Sequence, residues 1–284
     1  MNGFVLSYSS SNHQIKKLPN PPTNPQIPKS SNPQISAVLL SGGLDSAVLL
    51  AEEAARGEVH PIYVSAGLAW EQAERDAIAR LLASGRVGQR VQPLVSLSLD
   101  MREVYTAAHW SIQGRPPAYH TPDEDVYLPG RNIILLAKAG VYCAAARVGR
   151  LVLGTLAHNP FPDATPEFRS AMAHALSLGL AHTLRLEAPY ADVSKAEVVR
   201  RGASLGVPLE LTLSCMNPLA APGTGLREPG EDLSPTALQA RHCGACSKCR
   251  ERHDAFLEAG ITDTTDYADT ANIRGRGPGP DPLS

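Results

Sequence analysis

Ala37-Val38-Leu39-Leu40-Ser41-Gly42-Gly43-Leu44-Asp45-Ser46-Ala47-Val48-Leu49-Leu50 is the stretch that decides how this chain is read. Four apolar residues have the character of a buried strand, two glycines make a turn, and a second apolar run opens a helix. The glycines let the backbone fold tightly and present its N–H groups with no Cβ in the way. The helix start adds unpaired donors and the positive end of its dipole, so residues 40–50 are expected to hold a phosphate or pyrophosphate. Asp45 or Ser46 is placed to cap the helix, and the Ser41 and Ser46 hydroxyls reach toward phosphate oxygens. No Gly-Lys-Ser/Thr follows, so this is not a Walker loop. The plain alternative is a glycine turn that merely joins a strand to a helix.

At 284 residues the chain suits one α/β domain with appendages. A net charge of −2 leaves no broad basic footprint, and 5% aromatic content offers few stacking platforms. Both argue against direct nucleic-acid binding. No run is long enough for a membrane span, and the Phe4-Val5-Leu6 run is too short for a secretory core. A cytoplasmic protein is expected, with its five cysteines reduced or metal-bound.

Residues 1–36 are rich in Pro, Asn and Ser and repeat a motif: Ser11-Asn12-His13-Gln14-Ile15, Thr23-Asn24-Pro25-Gln26-Ile27, Ser31-Asn32-Pro33-Gln34-Ile35. Such a segment buries too little apolar surface to offset its ordering entropy, so a disordered extension is expected. Residues 37–212 read as the nucleotide-binding domain and 213–260 as a metal-binding region. Residues 261–284 read as a flexible tail.

Strands and helices alternate in between. Strands are expected at 59–64, 91–95, 151–154 and 184–189, and helices at 71–84 and 132–147. Thr165-Pro166-Glu167 starts another helix. Ser194-Lys195-Ala196-Glu197 is a capping box for a further one, which Gly206 and Pro208 end. This alternation predicts a doubly wound parallel sheet, with ligands at the carboxyl ends of its strands. Lys195 falls at a first helical position, where the dipole mildly disfavours a cation; the plain alternative to a functional role is a solvated surface charge.

Cys243-Gly244-Ala245-Cys246-Ser247-Lys248-Cys249 places three thiols at two-residue intervals, and Cys215 lies upstream. Four thiolates complete a closed tetrahedral zinc site, and Cys-x-x-Cys lets two sulfurs grip one ion. An iron–sulfur cluster, a redox dithiol or four unrelated buried thiols compete with that reading; zinc is expected. The basic neighbours Arg241, Lys248, Arg250 and Arg252 would offset thiolate charge. Cys143 lies inside an apolar helix and reads as core, and residues 221–231 read as an irregular exposed loop.

Ser41 to Ser46 resembles the PP-loop of the N-type ATP pyrophosphatases, which usually cleave ATP between its α and β phosphates. With the cysteines placed, residues 36 to 260 resemble the 7-cyano-7-deazaguanine synthase (QueC, ExsB) family. Tyr127-Leu128-Pro129-Gly130-Arg131-Asn132 is similar to its V-P-G-R-N stretch, and Phe161 to Phe168 to its Y-P-D-x-x-x-E-F stretch. Pro189 with Ser194 to Glu197 is similar to another, and Cys215 with Cys243, Cys246, Cys249 and Arg252 to its zinc pattern. The resemblance implies a ligase in queuosine-type precursor synthesis that uses ATP with Mg²⁺ to convert 7-carboxy-7-deazaguanine and ammonia to the nitrile. It also implies a homodimer. By matching position, Asp45 would orient magnesium and Lys195 act in catalysis. Arg131 and Asn132 would contact nucleotide or substrate, or else sit on a solvated first turn. Asp163 and Glu167 would read the base's amidine edge, or else Glu167 caps a helix and Asp163 is a turn aspartate. One departure stands out: where the family has Tyr-Gly-Gln-Arg-His after the second strand, this chain has Ser65-Ala66-Gly67-Leu68-Ala69-Trp70-Glu71. That leaves open a divergent PP-loop ligase acting on another carboxylate.

Overall fold

In the computed structural model, residues 34–220 and 240–273 are described. The expected disordered extension, apart from Gln34 to Ser36, lies outside them, as do the 221–231 loop and the tail beyond residue 273.

Five parallel strands form one sheet: β1 (Gln34–Leu39), β2 (Gly57–Ser65), β3 (Val95–Ser98), β4 (Arg150–Val152) and β5 (Arg185–Glu187), in the order β3-β2-β1-β4-β5. Val38 in the central strand pairs with Pro61 of β2 and Val152 of β4. Alternate residues point to opposite faces, and the two faces have separate cores. Val38, Leu40, Val59, Tyr63 and Val152 meet α1 (Leu44–Arg56) and α2 (Glu71–Ala83) on one side, together with α5 (Lys195–Ser204) and α6 (Ser247–Ala259). Ala37, Ile62, Val64 and Leu151 meet α3 (Arg131–Ala145) and α4 (Pro166–Leu180) on the other. This is the doubly wound sheet the alternation predicts. Cys143 lies in the second core, where burial pushes its thiol up to about 12 and leaves it inert.

The third strand begins at Val95 and not at Val91. Val91 makes a single bridge to Val59, and Pro93, lacking an N–H, cannot continue the ladder; pairing resumes where Val95 meets Ile62. The first strand starts at Gln34, upstream of the apolar run. Residues 261–273, expected to be flexible, pair with the cysteine region: Ala268 N–H donates to the His242 carbonyl and Asp269 N–H to that of Cys243. Among the described residues no helix is long and apolar enough to cross a membrane.

The chain leaves β1 toward one face and leaves β4 toward the other, so the carboxyl ends of these neighbouring strands splay apart. That switch point is where an open α/β sheet leaves room for a ligand.

Candidate active site and metal centre

The loop after β1 and the loop after β4 face each other across two cavities of about 410 and 270 Å³. Ser41, Gly43, Asp45, Arg131, Gly154 and Thr155 line both. Gly42 has φ +75°, and a Cβ there would stand 3.0 Å from the Glu74 carbonyl oxygen and 3.1 Å from Ile78, so α2 closes directly on the turn. Helix α1 starts at Leu44, with Gly43 as its N-cap and no side-chain cap. Neither Asp45 nor Ser46 caps it. The Ser46 hydroxyl instead accepts the Ser41 N–H at 3.2 Å and donates to the Gly43 carbonyl at 3.0 Å, fixing the loop. The first-turn N–H groups therefore stay available to an anion in the cavity.

Lys195 opens α5 and reaches back over this turn. Its Nζ lies 3.1 Å from Asp45 Oδ2 and 3.0 Å from Glu251 Oε1, and Lys248 Nζ lies 2.6 Å from Glu251 Oε2. Burial works against the Lys195 charge, but the Asp45 and Glu251 carboxylates override it and hold this lysine above the ordinary range. For Glu251 burial is likewise overcome, by Lys195 and Lys248, and its carboxyl drops to about 2. Asp45 keeps a second oxygen, Oδ1, buried without a hydrogen-bond partner. The dipole penalty on Lys195 is thus offset by two carboxylates, one of them on the turn after β1.

The four cysteines converge beside the same cavity, which Cys215 itself lines. Their Sγ atoms all lie within 4.8 Å of one another and all four residues are buried. Cys243 and Cys249 are 3.8 Å apart at sulfur, Cys246 and Cys249 3.5 Å. Backbone N–H groups of Asn217 and Cys243 point at the Cys215 sulfur, each at 3.3 Å. Four sulfurs at this spacing could hold a metal ion.

Residues 35–260 match the family model described as "Queuosine biosynthesis protein QueC". The chain belongs to the QueC family. It is 34% identical to a "7-cyano-7-deazaguanine synthase" of Anaeromyxobacter dehalogenans over 84% of this chain and 98% of that protein. A relative of the same name from Methanopyrus kandleri is 34% identical over 82% of this chain and 98% of its own length. One from Methylobacillus flagellatus is 31% identical over 84% and 98%.

Within this QueC chain the remaining anticipated residues fall in different places. Asn132 and Asp163 bond to each other: Asp163 Oδ2 accepts the Asn132 N–H at 3.0 Å, and the Asp163 carbonyl accepts Asn132 Nδ2 at 3.1 Å. Asp163 thus satisfies a first-turn N–H of α3, and both residues line the smaller cavity. Arg131 keeps its Nε buried without a partner. Glu167 is exposed on the first turn of α4 and lines neither cavity. Of the basic residues near the cysteines, Arg241 holds Asp266, Arg250 holds Asp123 and two carbonyls, and Arg252 holds hydroxyls and the Leu209 carbonyl. They brace loops and leave the sulfurs to backbone N–H groups.

The departing stretch after β2 is filled by a different set of bonds. The Glu71 carboxylate accepts the N–H groups of Ala66 at 2.6 Å and Gly67 at 3.2 Å, pinning the turn that lacks the polar triplet. Trp70 stacks on Trp110 with ring centroids 5.7 Å apart, and its Nε1 donates to Glu74 at 3.1 Å. Tyr63 donates to the other Glu74 oxygen at 2.9 Å. Burial pushes the Glu74 carboxyl up to about 7; Arg131 pulls it the other way and the Glu71 charge adds to the rise. Glu74, Lys248 and Glu251 all line the larger cavity, and sequence reasoning singled out none of them for the nucleotide site. The Lys248–Glu251 spacing of one helical turn was the available signal.

Proposed function

We propose that this protein is a cytoplasmic ligase that uses ATP to activate the carboxylate of 7-carboxy-7-deazaguanine. Ammonia then converts it to the amide, and a second activation with loss of water gives 7-cyano-7-deazaguanine, a precursor for queuosine-type tRNA modification. The observation that carries this reading is the span of the family match, which includes both the phosphate-type loop and the four cysteines.

A carboxylate does not react with ammonia until one oxygen becomes a good leaving group, and transfer to a phosphate of ATP makes it one. The PP-loop favours cleavage at the α-phosphate, with pyrophosphate leaving. Residues 40–50 hold the phosphates: the α1 N–H groups and the Ser41 hydroxyl donate to their oxygens, and Lys195 stabilises charge developing on the departing group. Arg131 binds either a phosphate or the substrate carboxylate from the facing loop. Asn132 and Asp163 would orient the base, and Glu167 would do so only if the α4 start turned inward. The buried, unpartnered Asp45 Oδ1 fits a magnesium ion, which would neutralise phosphate charge when bound.

Cys215, Cys243, Cys246 and Cys249 would hold zinc. Zn–S bonds of about 2.3 Å in a tetrahedron place sulfurs about 3.8 Å apart, close to the spacings found. Zinc would supply a cross-link between residue 215 and α6. In domain terms the proposal is a nucleotide-binding domain over 37–212 and a zinc region over 213–260, acting as a homodimer without direct nucleic-acid contact.

A second reading is a divergent ligase on another carboxylate, favoured by the replacement of the polar triplet with a stretch closed by Glu71. Mass spectrometry of products after incubation with ATP, magnesium, ammonium and 7-carboxy-7-deazaguanine separates the two. Formation of the nitrile with AMP is expected. Folded, metal-loaded, ATP-binding protein that forms no nitrile would favour the second.

A further inference from the structure

Helix α6 does two things at once. Its N-cap is Cys246 and its first turn carries Cys249, so it is anchored to the cysteine cluster. The same end of the helix presents Lys248 and, one turn on, Glu251 to the larger cavity, opposite the loop at Ser41, Gly43 and Asp45. Charges alternate across this opening: Asp45, Lys195, Glu251, Lys248, with nitrogen–oxygen distances of 3.1, 3.0 and 2.6 Å in turn.

Lys248 occupies a poor place for a cation. It lies in the first turn of a helix, where the dipole repels positive charge, and it adds to the local cost of holding Lys195. Of the four basic residues near the cysteines, Arg241, Arg250 and Arg252 brace loops, and Lys248 is the one that lines the cavity. Its bonded partner among the described residues, Glu251, is already shared with Lys195. Asp45 and Glu251 balance the charges of Lys195 and Lys248, but both ammonium groups line the cavity beside the starts of α1, α3 and α5, so lysine nitrogens and helix-start N–H donors face one space. That arrangement suits an occupant carrying several negative charges.

We propose that Lys248 is a polyphosphate-binding residue delivered to the nucleotide cavity by the cysteine-bearing helix, so that the metal centre and the ATP site form one unit. The inference rests on the ATP reading above. It assigns the metal region a part in substrate binding in addition to a structural one: order at Cys246 and Cys249 sets where Lys248 Nζ stands.

The test compares binding of magnesium–ATP and of AMP to the parent chain, K248A and K248R by calorimetry, with metal content measured on each. K248A should bind ATP about tenfold more weakly, with AMP affinity changed far less, full metal content and an unchanged melting temperature. K248R should recover most of the loss. Parent-like ATP affinity in K248A overturns the inference, as does a loss that is equal for ATP and AMP or that comes with loss of metal. A parent chain that binds no ATP overturns instead the reading on which it rests.

Discussion

Lys195 Nζ stands 3.1 Å from Asp45 Oδ2, across 150 residues of sequence, and brings the start of α5 onto the turn that follows the central strand. The contact joins a loop whose N–H groups face the cavity to the side chain best placed to stabilise charge there. Asp45 and Glu251 hold Lys195 above the ordinary lysine range, so it is a fixed cation at neutral pH. Replacing it with methionine should lower ATP turnover at least about 100-fold, the scale of removing one charge-stabilising donor. D45N should do the same, and the double variant should be little worse than either single one, since the two residues act as a unit. Steady-state release of pyrophosphate, with metal content as the control, measures all three; additive losses would show that the residues act separately.

Gly244 shows how tightly the cysteine region is closed. Its φ is +77°, and a Cβ would stand 1.8 Å from the Asp269 carbonyl oxygen, an overlap no side-chain rotation relieves. The Asp269 segment is held in place by its own N–H bond to the Cys243 carbonyl. G244A should therefore push residues 266–269 away from the cysteines and cost both metal and stability, by about 3 kcal/mol or more. Metal stoichiometry and a urea melt on the purified variant decide it. Full metal content with parent-like stability would mean that the 269 segment is free to move.

The strand, the glycine turn and the helix of residues 37–50 were legible because each uses local chemistry: an apolar run, a φ that glycine tolerates, a helix start. The four cysteines were legible for the same reason, since spacing alone brings three of them together. The Pro93 break was readable in principle, as proline cannot donate to a ladder, yet the apolar residues around it suggested a strand. Contacts set by tertiary geometry were not readable. Nothing near Glu251 in sequence points to Lys195, and nothing around Glu74 indicates that Tyr63, Trp70 and Arg131 surround it. The bonds between Asp163 and Asn132 likewise required the fold to bring two loops together.

Arg252 is the clearest case of a buried charge serving architecture. It is 1% exposed and donates to the Leu209 carbonyl at 2.8 Å, Thr212 Oγ1 at 2.8 Å, Ser214 Oγ at 3.2 Å and Thr265 Oγ1 at 2.7 Å, with its guanidinium 5.3 Å from the Phe256 ring. These bonds tie α6 to the segment leading into Cys215 and to the 265 loop. A lysine has one ammonium where this site needs a fork of donors. R252K should lose about 2–4 kcal/mol of stability, because several buried acceptors are left unpaired. It should also weaken metal retention, since Ser214 adjoins a ligand. Chemical denaturation with and without a chelator reads both effects; an R252K melt that overlays the parent would refute the bracing role.

Glu74 gives a pH dependence whose sign can be worked out. Its carboxyl rises from 4.5 to about 7 in the folded chain, chiefly through burial. The folded protein therefore holds this proton more tightly than the unfolded chain does, and between pH 4.5 and 7 it binds the greater number of protons. Stability contributed by this group is full below the unfolded value and falls as pH rises through 7, by about 3 kcal/mol in total. E74Q keeps the shape and an acceptor for Tyr63 or Trp70 but has no proton to lose. Its melting temperature should change less than the parent's between pH 5 and 8, and the two curves should cross, the variant being the more stable at pH 8. Parallel curves across that range would mean that Glu74 stays ionised throughout, held so by Arg131.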